Sequence, residues 1–120
     1  MPVSQAFPES WFVRTADAPV AVLTIPGALD RTRTFDVDVQ LRVSVPVAAS
    51  KPELGLSLEI DGSLRWSRSI AAGVPGDIDT LEYHCRLVLE PGRDCRLRAR
   101  ATTRQCALLL LTLSAVEERV

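Results

Sequence analysis

Arginine carries the most chemical leverage in this sequence, because Arg96, Arg98 and Arg100 recur at every second position. On an extended strand that spacing places three guanidinium groups on one face, opposite Leu97 and Ala99. If the Pro91-Gly92-Arg93 turn closes a simple hairpin, His84 and Arg86 come alongside the row. Like charges opposed across strands repel, so something has to neutralise them. One answer lies within the chain: Asp36 and Asp38 share a wet face, and Glu59 and Glu82 are also at hand. The other answer is an anionic ligand, such as an acidic sugar or a partner's acidic surface, gripped by planar guanidinium forks.

Catalytic chemistry finds less to work with. His84 is the only histidine, and its neighbour Cys85 points to the opposite face of a strand, so the two cannot form a thiolate–imidazolium pair. No GxSxG elbow presents a serine nucleophile, which leaves a small hydrolase as the trailing alternative. Cys85, Cys95 and Cys106 are ten and eleven residues apart without a CxxC pair, so no zinc site is expected. Cys85 and Cys95 fall on the apolar parity of their segments and read as reduced core residues. Calcium has only Asp77 and Asp79 in one loop and Asp30 in another, where turn chemistry also accounts for Asp. Gly73, Gly76 and Gly92 form no phosphate-cradling motif. No cofactor is expected.

Aromatic platforms for sugars are scarce. Trp66 and Tyr83 share parity with apolar neighbours and read as core, which leaves Trp11 as the ring expected at the surface. The balanced charge, net −1, and the lack of aromatics among the arginines argue against nucleic acid. The longest apolar run, 107–111, is far short of a bilayer span, so no membrane contact is expected. The amino terminus shows neither a basic nor an apolar signal region, and the reading is a cytoplasmic protein. Lys51 is the only lysine, and the Ala, Val, Leu and Arg bias suggests a GC-rich bacterial genome.

These residues must be positioned by strands. In 33–47, Phe35, Val37, Val39, Leu41, Val43 and Val45 alternate with polar residues, which marks a long strand with one dry face. Leu54 to Ile60 repeats the pattern, and Asp61-Gly62 then signals a type I′ hairpin into Leu64 and Trp66. A second hairpin is expected from 81–89 through Pro91-Gly92 into 95–101, and a closing strand covers 105–117. Weaker strands fit 11–15 and 20–25. The sum is one all-β domain over 1–120, a two-sheet antiparallel β-sandwich of about eight strands, jelly-roll type. An immunoglobulin-like sandwich is the alternative, weakened because Trp66 precedes every cysteine.

In the closing strand both parities are apolar: Leu108 and Leu110 on one side, Leu109, Leu111 and Leu113 on the other. A sandwich strand needs one dry face, so the second is expected to be covered by the chain itself or by another subunit. Leu109, Leu111 and Leu113 are thus the candidate interface of a homo-oligomer.

The stretch 81–117, a strand, a Pro/Gly turn, a charged strand and an apolar closing strand, resembles the carboxy-terminal part of galactose-binding-like and carbohydrate-binding jelly rolls. The resemblance spans about a third of the chain and implies an architecture. The leading expectation is a non-catalytic binding module for a carbohydrate or other anionic ligand, using Trp11, His84, Arg86, Arg96, Arg98 and Arg100. A structural subunit that self-associates through its Leu-rich final strand is the alternative.

Overall fold

Alternating polarity becomes alternating burial. A computed structural model describes residues 8–118 and contains eight strands. They are β1 (Ser10–Thr15), β2 (Val20–Ile25), β3 (Arg33–Ser44), β4 (Glu53–Ile60), β5 (Ser63–Ala71), β6 (Ile78–Leu89), β7 (Cys95–Arg104) and β8 (Ala107–Glu117). The amino-terminal segment read for a signal lies mostly outside the described residues. Along β3 the burial alternates without a break, and Phe35, Val37, Leu41 and Val43 are sealed inside. No helix among the described residues is long and apolar enough to cross a membrane.

Two antiparallel four-stranded sheets face each other, sheet A in the order β1-β8-β3-β6 and sheet B in the order β2-β7-β4-β5. The partners β1·β8, β2·β7, β3·β6 and β4·β5 are nested, as in one long hairpin ribbon folded over on itself. The added pairings β3·β8 and β4·β7 close each sheet. This is the jelly-roll connection. It differs from the immunoglobulin order ABED/CFG, in which the first strand pairs with the second.

The tip of the ribbon is the Asp61-Gly62 turn, with φ of 51° and 83°, the paired positive values of a type I′ turn. Asp61 tolerates that geometry and also accepts a 2.9 Å hydrogen bond from the Arg96 amide at Oδ1. Gln105, at φ 54° between β7 and β8, is stabilised differently. Its side-chain oxygen accepts from the Ser50 and Lys51 amides at 2.9 and 3.2 Å, which ties this turn to the β3–β4 loop.

Two expectations are corrected here. The segments around Pro91-Gly92 do not form a hairpin: β6 pairs with β3 in sheet A, while β7 lies between β2 and β4 in sheet B. A Pro/Gly turn signals reversal, but it does not say whether the returning strand pairs beside the first or crosses the gap of about 10 Å to the facing sheet. β6 finds in β3 a partner of equal length, in register from Arg33↔Leu89 to Ser44↔Ile78.

The second correction concerns Leu109, Leu111 and Leu113. Opposite β3 the register steps from Arg42↔Leu110 to Val43↔Leu108, so Leu109 is an extra residue in a β-bulge. The bulge flips parity. Leu111 and Leu113 are 0% exposed in the core, with Leu108 packed against it, and only Leu109 (38% exposed) of the three reaches the surface. Apolar residues on both parities are what a strand with a mid-course bulge requires, so no second subunit is needed to cover Leu111 and Leu113.

Candidate functional site

The outer face of sheet A is built in cross-strand rows. One runs Phe12–Ser114–Asp38–His84 from β1 to β6, and the next runs Ser10–Val116–Asp36–Arg86. Asp38 Oδ1 lies 2.8 Å from His84 Nδ1, and Asp36 lies 3.8 Å from Nε2. The hydrogen bond and charge of Asp38, with Asp36 and Glu118 adding, hold the imidazole above its ordinary value. Arg86 donates twice to Glu118, at 2.8 and 2.7 Å, and these bonds hold that carboxyl below the usual range. A shallow depression of about 430 Å³ beside Asp38 and His84 also includes Gln40, Glu82 and Thr112.

That row does not assemble a Ser–His–Asp relay. Such a relay needs the imidazole between carboxylate and hydroxyl. Here Asp38 stands between Ser114 and His84, which sit two strand spacings apart, roughly 9–10 Å. Cys85 faces the interior, where burial pushes its thiol up, and burial pushes the Cys95 thiol up to about 11. Neither is an activated nucleophile.

The outer face of sheet B is different. Arg96, Arg98 and Arg100 stand together on β7 as the spacing predicts, and Arg104 extends the row beyond Thr102. His84 and Arg86 are absent from it, because they lie on the other sheet. Beside β7, strand β4 presents Gly55 and Ser57, and edge strand β5 presents Ser69 and Ser67 in register. A Cβ at Gly55 would collide with the Thr102 hydroxyl oxygen, so the Thr102 side chain would have to turn aside to admit one. Two shallow hollows of about 220 and 90 Å³ share Ser69 and Thr102.

Counter-charge on this face is thin. Glu59 reaches Arg98 at 4.0 Å and Glu53 reaches Arg104 at 3.7 Å, both loose contacts between exposed groups. Pairs of that kind contribute about 0–1 kcal/mol. Among the described residues no carboxylate lies within ion-pair distance of the Arg96 or Arg100 side chain. The Arg98 Nε is shielded from solvent without a hydrogen-bond partner.

Missing from the sequence reading is an ion cluster at one end of the sandwich. Arg33 is 1% exposed, on the inward parity of β3 and 5.4 Å above the Phe35 ring. It donates to Glu9 at 2.8 Å and to the Pro26 carbonyl at 2.8 Å. Arg31 bridges Glu9 and Glu117 at 2.7 and 2.8 Å. Burial opposes ionisation of Glu9, but the bonds from Arg33 and Trp11 and the nearby arginine charges outweigh it and keep its carboxyl below the ordinary value. The signal was present: Arg33 shares parity with Phe35 and Val37.

Trp11 belongs to this cluster. It faces inward, packs half-buried against the core and donates from Nε1 to Glu9 at 3.1 Å. The ring expected at the surface is instead Phe12, 61% exposed. Trp66 and Tyr83 stack at 4.4 Å across the two sheets and close the β5–β6 edge. Asp79 accepts from the Gly73 and Thr80 amides and Asp77 from Ile78, which is turn chemistry. Asp30 lies in the β2–β3 loop at the opposite end. Among the described residues no group of three or more His, Cys, Asp or Glu is placed to hold a metal ion.

No family model and no curated protein matches the chain. A number of solved structures are distantly similar, among them the following two. Dimeric latent PorU from Porphyromonas gingivalis matches 92% of this chain at 11% identity, with a TM-score of 0.49. The mosquito-larvicidal Cry4Aa toxin from Bacillus thuringiensis matches 85% at 12% identity, also with a TM-score of 0.49. This chain spans 13% and 18% of their respective lengths.

Proposed function

We propose that this chain is a non-catalytic β-sandwich binding module that holds an acidic carbohydrate or related anionic ligand on the outer face of β7. The observation that carries the reading is the outward row Arg96, Arg98 and Arg100, two of whose members have no carboxylate partner among the described residues. Exposed arginines with unused donors form charge-assisted bonds of about 1.5–3 kcal/mol with a carboxylate or sulfate. The serine and threonine hydroxyls beside them supply both donors and acceptors for sugar hydroxyls.

Calorimetric titration with short galacturonic-acid oligomers at low salt tests the reading. The native chain should bind them, and the Arg98→Glu/Arg100→Glu variant should bind more weakly by about 100-fold or more while keeping its fold. Binding of equal strength by both proteins, or none by the native chain, overturns it. The assembly alternative now rests on Phe12 and Val116, exposed on adjacent strands of sheet A. Sedimentation of the native chain and Phe12→Asp as the same monomer would remove that alternative.

A further inference from the structure

We propose that the ligand is a linear polyanionic glycan lying lengthwise along β7, rather than a compact anion held at one point. The proposal rests on the reading above and deepens it. The outward positions of β7 run Arg96, Arg98, Arg100, Thr102, Arg104, a cation at four of five places. Successive outward residues on a strand are about 6.6–6.8 Å apart, so the row extends for roughly 27 Å. One carboxylate or sulfate can engage one or two neighbouring guanidinium groups. A chain with charges along its length engages the whole row.

Width points the same way. The row follows one strand: β2 flanks it with Val20, Val22 and Thr24, β4 with Glu53, Gly55, Ser57 and Glu59, and β5 with Ser67 and Ser69. None of these positions adds a positive charge, and Arg68 of β5 meets Arg100 only at the lining of the smaller hollow. The hollows of about 220 and 90 Å³ are smaller than the roughly 300–1,000 Å³ pockets that enclose small molecules. A ligand here lies across the surface.

Hydroxyls distinguish the class of polyanion. Ser57, Ser67 and Ser69 border the row on one side and Thr102 stands within it, matching a chain that carries hydroxyls between its charges. Among the described residues no aromatic ring stands on this face, which removes the stacking platform that single-stranded nucleic acid uses. The loose Glu59 and Glu53 contacts are weak enough to yield to ligand carboxylates.

The test is calorimetric titration of the full chain with galacturonate oligomers of increasing length, their methyl-esterified counterparts, and oligothymidylates of matched charge. Affinity should rise with each added sugar until the row is covered, then level off, and esterification should abolish it. The slope of log K against log salt should fall by about one in Arg96→Gln and in Arg100→Gln, each measured separately. Binding that is independent of length overturns this proposal and leaves the binding-module reading standing. Silence towards every oligomer removes both. Oligothymidylates that bind as tightly as the uronates overturn the assignment to a glycan.

Discussion

On the β3–β6 half of sheet A, charges alternate in sign from strand to strand: Asp38 meets His84, Asp36 lies between His84 and Arg86, and Arg86 grips Glu118. On sheet B the charges run along one strand, and β7 carries four arginines against two loosely placed glutamates of β4. Both faces are exposed and built on the same period of two. The difference is in what stands opposite: β3 meets the cations of β6 with Asp36 and Asp38, whereas β2 brings no acid to the β7 row and β4 only two. Opposite charge on the next strand lets a sheet neutralise itself, whereas a row of like charge with few counter-charges beside it leaves donors facing solvent. A face of the second kind has bonding capacity left for a ligand.

The largest expected effect tests the parity on which this contrast rests. Leu113→Ala should cost about 2–5 kcal/mol in urea unfolding, as a core truncation does. Leu109→Ala, in the bulge, should stay within about 1 kcal/mol. Equal costs would mean that the bulge does not set which side of β8 faces the core.

Next in size is the contrast between the faces. Arg98→Glu/Arg100→Glu removes two charge-assisted bonds and should lower galacturonate affinity about 100-fold or more. The same titration with Asp38→Asn/His84→Gln, on sheet A, should stay within about twofold of native. Comparable losses from both variants would erase the distinction between the faces.

The ion cluster at the end of the sandwich couples half-buried Glu9 to buried Arg33. Glu9 has its folded carboxyl below the unfolded value of 4.5, so its stabilisation is complete above that pH and is lost as pH falls through the folded value. Glu9→Gln should flatten the acid limb of stability followed by circular dichroism, and an unchanged limb would contradict the assignment. The smallest effect belongs to His84. Its folded value lies above 6.5, so any stabilisation is present below 6.5 and lost as pH rises through the folded value. An imidazole titration by NMR should show that elevation, and Asp38→Asn should return it toward 6.5. Titration at or below 6.5 in the native chain would count against the Asp38 contact.

Much of this architecture was legible because its signals are local. The period-two run of β3, the Asp61-Gly62 turn and the arginine spacing on β7 each depend on a few neighbouring residues. Pairing between distant strands was not legible. Whether Pro91-Gly92 closes a hairpin or bridges the sheets depends on β6 meeting β3 and β7 entering between β2 and β4, contacts that no local pattern encodes. The error divided the candidate site, since His84 and Arg86 moved to the other sheet while the arginine row stayed whole. The β8 bulge hid for a related reason: a run of leucines reads alike on both parities, and only the register opposite Arg42 and Val43 locates the extra residue. Trp11 was misplaced by type, a ring expected to be free for sugar, and Arg33 went unread although it shares the inward parity of Phe35.

NMR titration of the isotopically labelled full chain with a galacturonate hexamer tests the central claim most directly. The account predicts amide and guanidinium shifts confined to Arg96–Arg104 of β7 and the flanking residues of β2, β4 and β5. Shifts centred on Asp38 and His84 of sheet A, or on the cleft of about 490 Å³ between Ala49–Glu53 and Ala71–Gly73, would contradict it.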